Sequence, residues 1–505
     1  MSRPGSEWTA EDLRQMARLG ISPEEAERQL SLLRDPPPFA RVLRPGRVGD
    51  GIIRIDPPER DALALRHERA QASGELEKLV PASGAASRMF RELAAFLDNP
   101  EDDSAMEAAR LFTERLDDFP FGEQLRWEVS RLGRDIGRSF DLIRTLLEPK
   151  GLGYGNKPKG LIPFHRYGKG ERTPFEEHLA EAALYVRDRQ SCARVHFTVS
   201  PEHEDGFRQR LAERGPLLEG EFGAHFEVTF SHQEKSTDTL AVDLGGRPFR
   251  RSDGTLLFRP GGHGALIHNL SRSSTGVVFV KNIDNVVPDR HKGPTVMWKR
   301  LLGGLLLRLQ DRVFEFGRAL DRGDTGGEFE RACRRFLLEW FGRRLPSEEA
   351  ASRADLEAAL HRPLRVCGVV ENAGEPGGGP FWVQSESGEV SCQIVESSQL
   401  DQNSTLVREA LETATHFNPV DLVCGLRDWR GQPYDLRNFI DPSAVFVSRK
   451  SWEGRELMAL ERPGLWNGAM AGWNTVMVEV PPETFAPVKT VFDLLRPQHQ
   501  GEAGP

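Results

Sequence analysis

The sequence predicts an α/β protein: a mainly parallel sheet with helices, preceded by a helical N-terminal extension and followed by a β-rich C-terminal part. Three observations predict it. From Leu76 onward, short apolar runs alternate with helical patterns, the mark of strands joined by crossover helices. Prolines and capping residues punctuate the starts of several helices. After about residue 345, strand-like runs (RVCGVVEN, PFWVQ, EVSCQIVES) are separated by glycine-rich turns. At roughly 100–200 residues per domain, 505 residues suit two or three domains. The expected division is 1–75, the helical extension; 76–345, the α/β domain with a helical insertion at 91–148; and 346–505, an α+β part.

Taken in order, Ser22-Pro23-Glu24-Glu25 supplies an N-cap, a proline at the first helical position and acids in the first turn. Asp35-Pro36-Pro37-Pro38 ends that helix. The stretch up to Gly51-Ile52-Ile53-Arg54-Ile55 is rich in Arg, Pro and Gly, and nothing before about residue 75 suggests chemistry. Strands are expected at Leu79–Ala82, Val195–Val199, Phe226–Phe230 and Val277–Ile283. Residues 91–148, rich in Glu, Arg and Leu, read as a run of helices. Thr173-Pro174-Phe175-Glu176 carries an N-cap, a proline at N1 and a capping-box glutamate. Further helices start at Ser200-Pro201 and after Pro294, where apolar residues recur at helical spacing. A charged connector, PSEEAASRADLE, then leads into the C-terminal part.

Composition excludes several classes of function. Lys and Arg number 67 against 76 Asp and Glu, a net charge of −9, so general nucleic-acid binding is not expected. Mean hydropathy is −0.48, and no run of apolar residues is long enough to span a membrane. The start, MSRPGSEWTAEDLRQ, lacks the apolar core of a signal peptide, so a cytoplasmic protein is expected. Five cysteines, scattered and never in a CxxC pair, support neither a disulfide framework nor a zinc ribbon. Buried structural thiols are the default.

Four segments could carry chemistry. Pro81-Ala82-Ser83-Gly84-Ala85-Ala86-Ser87-Arg88-Met89 follows a strand and precedes a helix. Its small residues let backbone N–H groups approach an anion, and Arg88 adds a fixed charge. Such loops are more often plain turns. Lys157-Pro158-Lys159-Gly160 could present an ammonium rigidly to a phosphate, although a solvated basic loop looks the same. In Arg259-Pro260-Gly261-Gly262-His263-Gly264, the glycines suggest a backbone passing close to something flat or charged. His263 reads equally as a residue that only supports the loop. Lys281-Asn282-Ile283-Asp284-Asn285 ends an apolar strand, where open α/β sheets bind ligands. An aspartate there suits a hard cation such as Mg²⁺ bridging phosphates, or merely shapes the turn.

The order of these segments resembles the nucleotide-sugar pyrophosphorylases, above all the UTP-dependent glucose-1-phosphate and N-acetylglucosamine-1-phosphate uridylyltransferases. Gly84, Ser87 and Arg88 fall on the Gly, Thr and Arg of the family's LxGGxGTRxG loop. Pro158-Lys159-Gly160 resembles its PKG motif, Gly261-Gly262-His263-Gly264 its PGHG motif, and Asn282-Ile283-Asp284-Asn285 its NIDN motif. FTVS at 197–200 is similar to its MTS strand end, and Phe230-Ser231-His232-Gln233 sits where the family reads the uracil edge. QIVESSQLD at 393–401 resembles its VVEYSE stretch, with Ser397 at the tyrosine. Phe485-Ala486-Pro487-Val488-Lys489 resembles its F-x-P-[LV]-K segment. The resemblance covers 76–500. Ser83, Ala86 and Phe90 stand where the family has loop glycines, leaving less room for a triphosphate. The whole chain also resembles a bacterial family catalogued only as a domain of unknown function.

The resemblance implies a Rossmann-like fold of the nucleotide-diphospho-sugar transferase type and transfer of a nucleotidyl group, from UTP, to a sugar-1-phosphate. The partners it implies are an NTP and a sugar-1-phosphate, and the cofactor is Mg²⁺. Arg88, Lys159 and Asp284 would be catalytic, with Asp284 on the metal. Ser83, Gly84, Ala85, Ser87, Gln233, Gly261, Gly262 and His263 would bind the nucleotide. Asn285, Glu396, Asn418, Asn467 and Lys489 would bind the sugar phosphate. Outside the motifs, Gly374–Pro380, Thr415–Asn418 and Leu465–Gly468 mix glycine, amides and aromatics in a way that suits sugar recognition or simply shapes loops. Ser236–Thr239 could bind a hydroxyl or cap a turn. Two alternatives stay open: a nucleotidyltransferase with another NTP and acceptor, and a nucleotide-binding regulator without catalysis.

Overall fold

The computed structural model describes residues 8–168, 170–324, 326–345, 353–374, 377–386 and 388–500. Part of the charged connector (346–352), and Glu375 and Pro376 of the glycine-rich turn, lie outside the described residues. The chain forms two compact units, each built from three segments: Met1–Leu63, His232–Val278 and Leu302–Val480 in the first, and Ala64–Ser231, Phe279–Leu301 and Pro481–Pro505 in the second. Both are α/β.

The second unit contains Leu76–Pro81, Cys192–Thr198 and His225–Ser231 as parallel neighbours, and it takes in Phe279–Lys281, the end of the strand Val277–Lys281. Leu76–Pro81 and Val277–Lys281 are buried along almost their whole length, whereas Cys192–Thr198 alternates and His225–Ser231 is largely open on one side. Phe197 lies opposite both Val80 and Phe230, and the Phe175 ring packs on Phe197 at 4.7 Å between centroids. Phe175 comes from the helix Pro174–Tyr185, whose Thr173–Glu176 capping box forms as expected. Val277–Lys281 stops before Asn282 and Ile283, so the strand is shorter than its apolar run predicts. The helix expected at Ser200-Pro201 begins with the single turn Pro201–His203 and continues as Glu204–Phe222.

Residues 91–148 are helical: Arg91–Asp98, Asp103–Glu114, Gly122–Arg131 and Ser139–Leu147. They enclose their own apolar core, with Leu93, Phe112, Phe119, Phe121, Leu125 and Leu142 fully buried. The helices can turn so tightly because glycine sits at the corners. A Cβ on Gly122 would lie 2.1 Å from the Leu116 carbonyl oxygen, and one on Gly151 would lie 2.0 Å from that of Thr145.

In the first unit, Arg47–Val48, Gly51–Ile53, Asn474–Glu479 and Leu364–Glu371 are parallel neighbours, and His416–Gly425 adds antiparallel to the last. An antiparallel sheet joins Val42–Pro45, Gly379–Gln384 and Val390–Val395. Another joins Phe258–Arg259, Thr239–Val242, Arg455–Glu461 and Phe446–Trp452. Against that last sheet pack the helices Ala10–Leu19 and Pro23–Arg34, the latter capped by Ser22, through Met16, Ile21, Ala26 and Leu30 on Leu240, Val242 and Leu460. Among the described residues no helix is long and apolar enough to cross a membrane. All five cysteines are free thiols, and only Cys192 is not buried.

Candidate functional site

The second unit gathers Ser83–Arg88, Lys159, Asp284, Asn285 and Lys489 at one place. The loop after Leu76–Pro81 leaves Ser83, Gly84, Ala85, Ser87 and Arg88 exposed, and a Cβ on Gly84 would meet nothing within 4 Å. Ala86 and Phe90 turn the other way, into the core of the inserted helices. Two of the three positions where glycine is replaced therefore put their bulk into that core. The crowding expected of them does not occur there.

The insertion returns the chain to its starting point. Ala86 N–H donates to the Lys157 carbonyl at 3.0 Å, and Lys159 N–H donates to that of Gly84 at 3.2 Å. Residues far apart in sequence are thus stitched as adjacent strands would be. Glycine at 160 gives the clearance this needs, since a Cβ would lie 2.9 Å from the buried Phe207 ring.

Lys159 Nζ donates to Asp284 Oδ2 at 3.0 Å and to the Val488 carbonyl at 2.9 Å. Lys489 Nζ donates to the same Oδ2, also at 3.0 Å. The Lys159 and Asp284 side chains are nearly buried, whereas Lys489 is 58% exposed. Burial alone would push the Asp284 carboxyl up; the two ammoniums outweigh it and hold the group below the usual aspartate range. Asp284 Oδ1, Asn285 Nδ2 and Thr198 Oγ1 are buried and have no hydrogen-bond partner among the described residues. Asn285 Oδ1 accepts from Ala486 N–H at 3.0 Å, and Val488 N–H donates to the Asp284 carbonyl. The segment 485–489 is thereby laced to the Asp284 turn.

Two cations on one carboxylate leave a positive balance suited to phosphate. Among the described residues no group of three or more His, Cys, Asp or Glu side chains could hold a metal by itself. Mg²⁺ takes one or two carboxylates and fills its remaining positions with water and phosphate oxygens. The unpartnered Oδ1 of Asp284 fits one such ligand.

The first unit holds the other expected residues. The close approach predicted by the glycines around His263 is made to the chain's own backbone. A Cβ on Gly261 would lie 2.4 Å from the Thr237 carbonyl oxygen, and one on Gly264 would lie 2.2 Å from that of Pro463. Gly262 has φ +70°. His263 stacks on Trp466 at 4.1 Å, and its Nδ1 accepts from Leu465 N–H at 3.0 Å. Burial pushes the imidazole down to about 4, so it is neutral and carries its proton on Nε2, 3.5 Å from Glu396 Oε1. Glu396 accepts from Trp466 Nε1 at 3.0 Å, yet burial dominates and raises its carboxyl. Asn467 Nδ2 donates to Gln399 Oε1, and its own Oδ1 is buried without a partner among the described residues. Gln233 Nε2 reaches Thr237 Oγ1 at 3.3 Å.

Asn418 is spoken for locally. Its Oδ1 accepts from Val420 N–H at 3.1 Å and steadies a left-handed residue, Val420 at φ +58°, in a buried strand. Arg365, absent from any motif, is fully buried; it donates to the Trp466 carbonyl at 2.7 Å and to Gln393. The burial of Arg365, Glu177 and Glu181 carried no signal in the sequence, because charged residues are ordinarily read as surface.

The fold is similar to that of a pyrophosphorylase of known structure. The uridine diphosphate N-acetylglucosamine pyrophosphorylase from Trypanosoma brucei, solved with an inhibitor, superposes with a TM-score of 0.51 at 13% identity, covering 97% of this chain and 79% of that one. A UDP-glucose pyrophosphorylase variant from Leishmania major, solved with UDP-glucose, scores 0.46 at 13% identity, with 99% and 80% covered. The UDP-glucose phosphorylase from T. brucei scores 0.45 at 13% identity, with 97% and 80% covered. No curated protein matches the sequence. The chain belongs to the family described as Domain of unknown function (DUF4301), which matches residues 9–500.

Proposed function

We propose that this protein transfers a nucleotidyl group from an NTP, UTP by its motifs, to a sugar-1-phosphate and releases pyrophosphate. The observation that carries this reading is the convergence of Lys159 and Lys489 on one oxygen of Asp284 beside the exposed Ser83–Arg88 loop. The fold shared with the T. brucei pyrophosphorylase supports it.

In the reaction an oxygen of the sugar phosphate attacks the α-phosphorus in line. A new P–O bond forms, the bond to the bridging oxygen breaks, and pyrophosphate leaves with that electron pair. No covalent intermediate on the protein is needed, so catalysis is positioning and charge neutralisation. The Ser83–Ser87 loop and Arg88 would hold the β- and γ-phosphates, Lys159 the reacting phosphate and Lys489 the incoming one. Asp284 would hold Mg²⁺, which when bound would supply further neutralisation of the transferring group. In the first unit the Trp466 face, Glu396, Asn467 and His263 offer the stacking surface and hydrogen-bonding groups that a base or sugar ring requires. Gln233 and the Gly261–Gly262 backbone are assigned to the base on motif resemblance alone.

The test is a screen of NTP and sugar-1-phosphate pairs for pyrophosphate release with Mg²⁺. Release with UTP and a hexose-1-phosphate is expected. Binding of UTP in thermal shift with no turnover for any pair would overturn the catalytic reading and leave a nucleotide-binding regulator.

A further inference from the structure

We propose that His178 is a positioning residue for Asp284, holding the turn that presents this carboxylate. The geometry stands by itself; the catalytic consequence rests on the nucleotidyltransferase reading. His178 is fully buried in the helix Pro174–Tyr185. Its Nε2 lies 3.1 Å from the Asn282 carbonyl oxygen and 3.2 Å from that of Ile283. Both are acceptors, so Nε2 carries the proton whatever the charge of the ring. The Ile283 carbonyl belongs to the peptide group that continues into Asp284, so its orientation sets where the aspartate begins.

The same helix grips the chain one residue earlier. Glu181 lies three positions from His178, on the same face. It accepts from Lys281 Nζ at 2.8 Å and from Lys78 Nζ at 2.9 Å, and all three side chains are buried. Residues 281, 282 and 283 are therefore each fixed by this helix just as the strand Val277–Lys281 ends. Beyond that point the strand ladder ends, and His178 holds the turn together with backbone bonds from Asn285 N–H to the Asn282 carbonyl and from Val488 N–H to the Asp284 carbonyl.

His178 Nδ1 points to a different requirement from packing. It is buried with no hydrogen-bond partner among the described residues. A leucine would fill the space without burying an unsatisfied nitrogen. What leucine cannot do is donate to the two carbonyls.

The test compares His178→Leu with His178→Gln, whose amide nitrogen can stand in for Nε2. Crystal structures of the protein and both variants report the Asp284 position, and steady-state kinetics report the consequence. In His178→Leu the Asp284 carboxylate is expected to shift relative to Lys159, with kcat lower by roughly ten- to hundredfold and KM for the sugar phosphate little changed. His178→Gln is expected to restore both. If His178→Leu fails to fold, His178→Asn, whose amide is too short to reach, takes its place against His178→Gln. An unmoved Asp284 or an undiminished kcat in the donor-free variant overturns the proposal, as does equal loss in His178→Gln. Should the unaltered protein release no pyrophosphate from any pair, the functional reading alone fails, and the crystallographic comparison still decides the role of His178.

Discussion

Asp284 treats its two oxygens differently: one is shared by two ammoniums and the other is buried and unpartnered. Removing either side of this arrangement has a definite consequence. Lys159→Ala and Asp284→Ala are each expected to lower Mg²⁺-dependent pyrophosphate release at least roughly a hundredfold, the scale of losing one preorganised electrostatic contact. Their circular dichroism should stay unchanged, and full activity in both variants would sink the assignment. Gly160 makes a separate point about space. Its missing Cβ lies 2.9 Å from Phe207 and 3.3 Å from Ile283, both buried, so Gly160→Ala is expected to cost about 1–3 kcal/mol in a urea melt. Individual residues were the most legible level of the sequence. Lys159, Asp284 and Lys489 could be named because each sits in a short motif. His178 could not, since a lone histidine on a helix has no sequence signature of what it will face.

The helix Pro174–Tyr185 shows what an element does that its residues do not announce. Its start was legible from Thr173, Pro174 and Glu176, whereas its near-total burial was not. Glu177 takes hydrogen bonds from Lys292, from the Tyr167 hydroxyl at 2.8 Å and from His165 Nδ1 at 2.8 Å. Burial pushes its carboxyl up, but Lys292 and His165 prevail and hold it at about 2, against an ordinary value of 4.5. A depressed carboxyl stabilises the fold above its unfolded value, and that contribution is lost as pH falls from 4.5 towards 2. Glu177→Gln is expected to lower stability at neutral pH by roughly 3 kcal/mol, because the buried Lys292 loses its hydrogen-bonded carboxylate and is left with Asp289 at 3.0 Å and the more distant Glu181. The variant's stability should also change less than that of the unaltered protein between pH 4.5 and 2, as urea unfolding across that range would report. Nearby, burial holds His499 at about 3, so its contribution begins to fade already below pH 6.5. His499→Gln should make the acid slope below pH 6.5 shallower, with buried His67 and His263 keeping the remainder, and an unchanged slope would count against this origin. The inserted helices carry the same lesson at larger size. Their helical character was readable from composition, but not that they close on themselves and return Lys157–Lys159 to Gly84–Ala86.

For the whole molecule, ligand linkage gives the broadest check. UTP with Mg²⁺ at a hundred times its Kd is expected to stabilise the protein by about 2.7 kcal/mol, and Asp284→Ala should erase the metal-dependent part of the thermal shift. A shift with every nucleotide alike, or with none, would contradict a nucleotide-selective site. The chain's division into two units of three segments each was beyond what the sequence could reveal. Linear boundaries follow composition, whereas compactness depends on which distant segments pack together, and the last segment, Pro481–Pro505, joins Ala64–Ser231. By itself the sequence determined the α/β class, the capped starts of the helices Pro23–Arg34 and Pro174–Tyr185, and the approximate place of four strands. Periodicity, caps and short motifs are local properties of a chain, so they survive in one dimension. Only the tertiary structure decided that Ala86 and Phe90 point into a helical core, that Asn418 Oδ1 accepts from Val420 N–H, and that a buried helix reaches the chain just before Asp284. Those outcomes depend on which face of each element is covered and by what, and burial is a property of the folded neighbourhood.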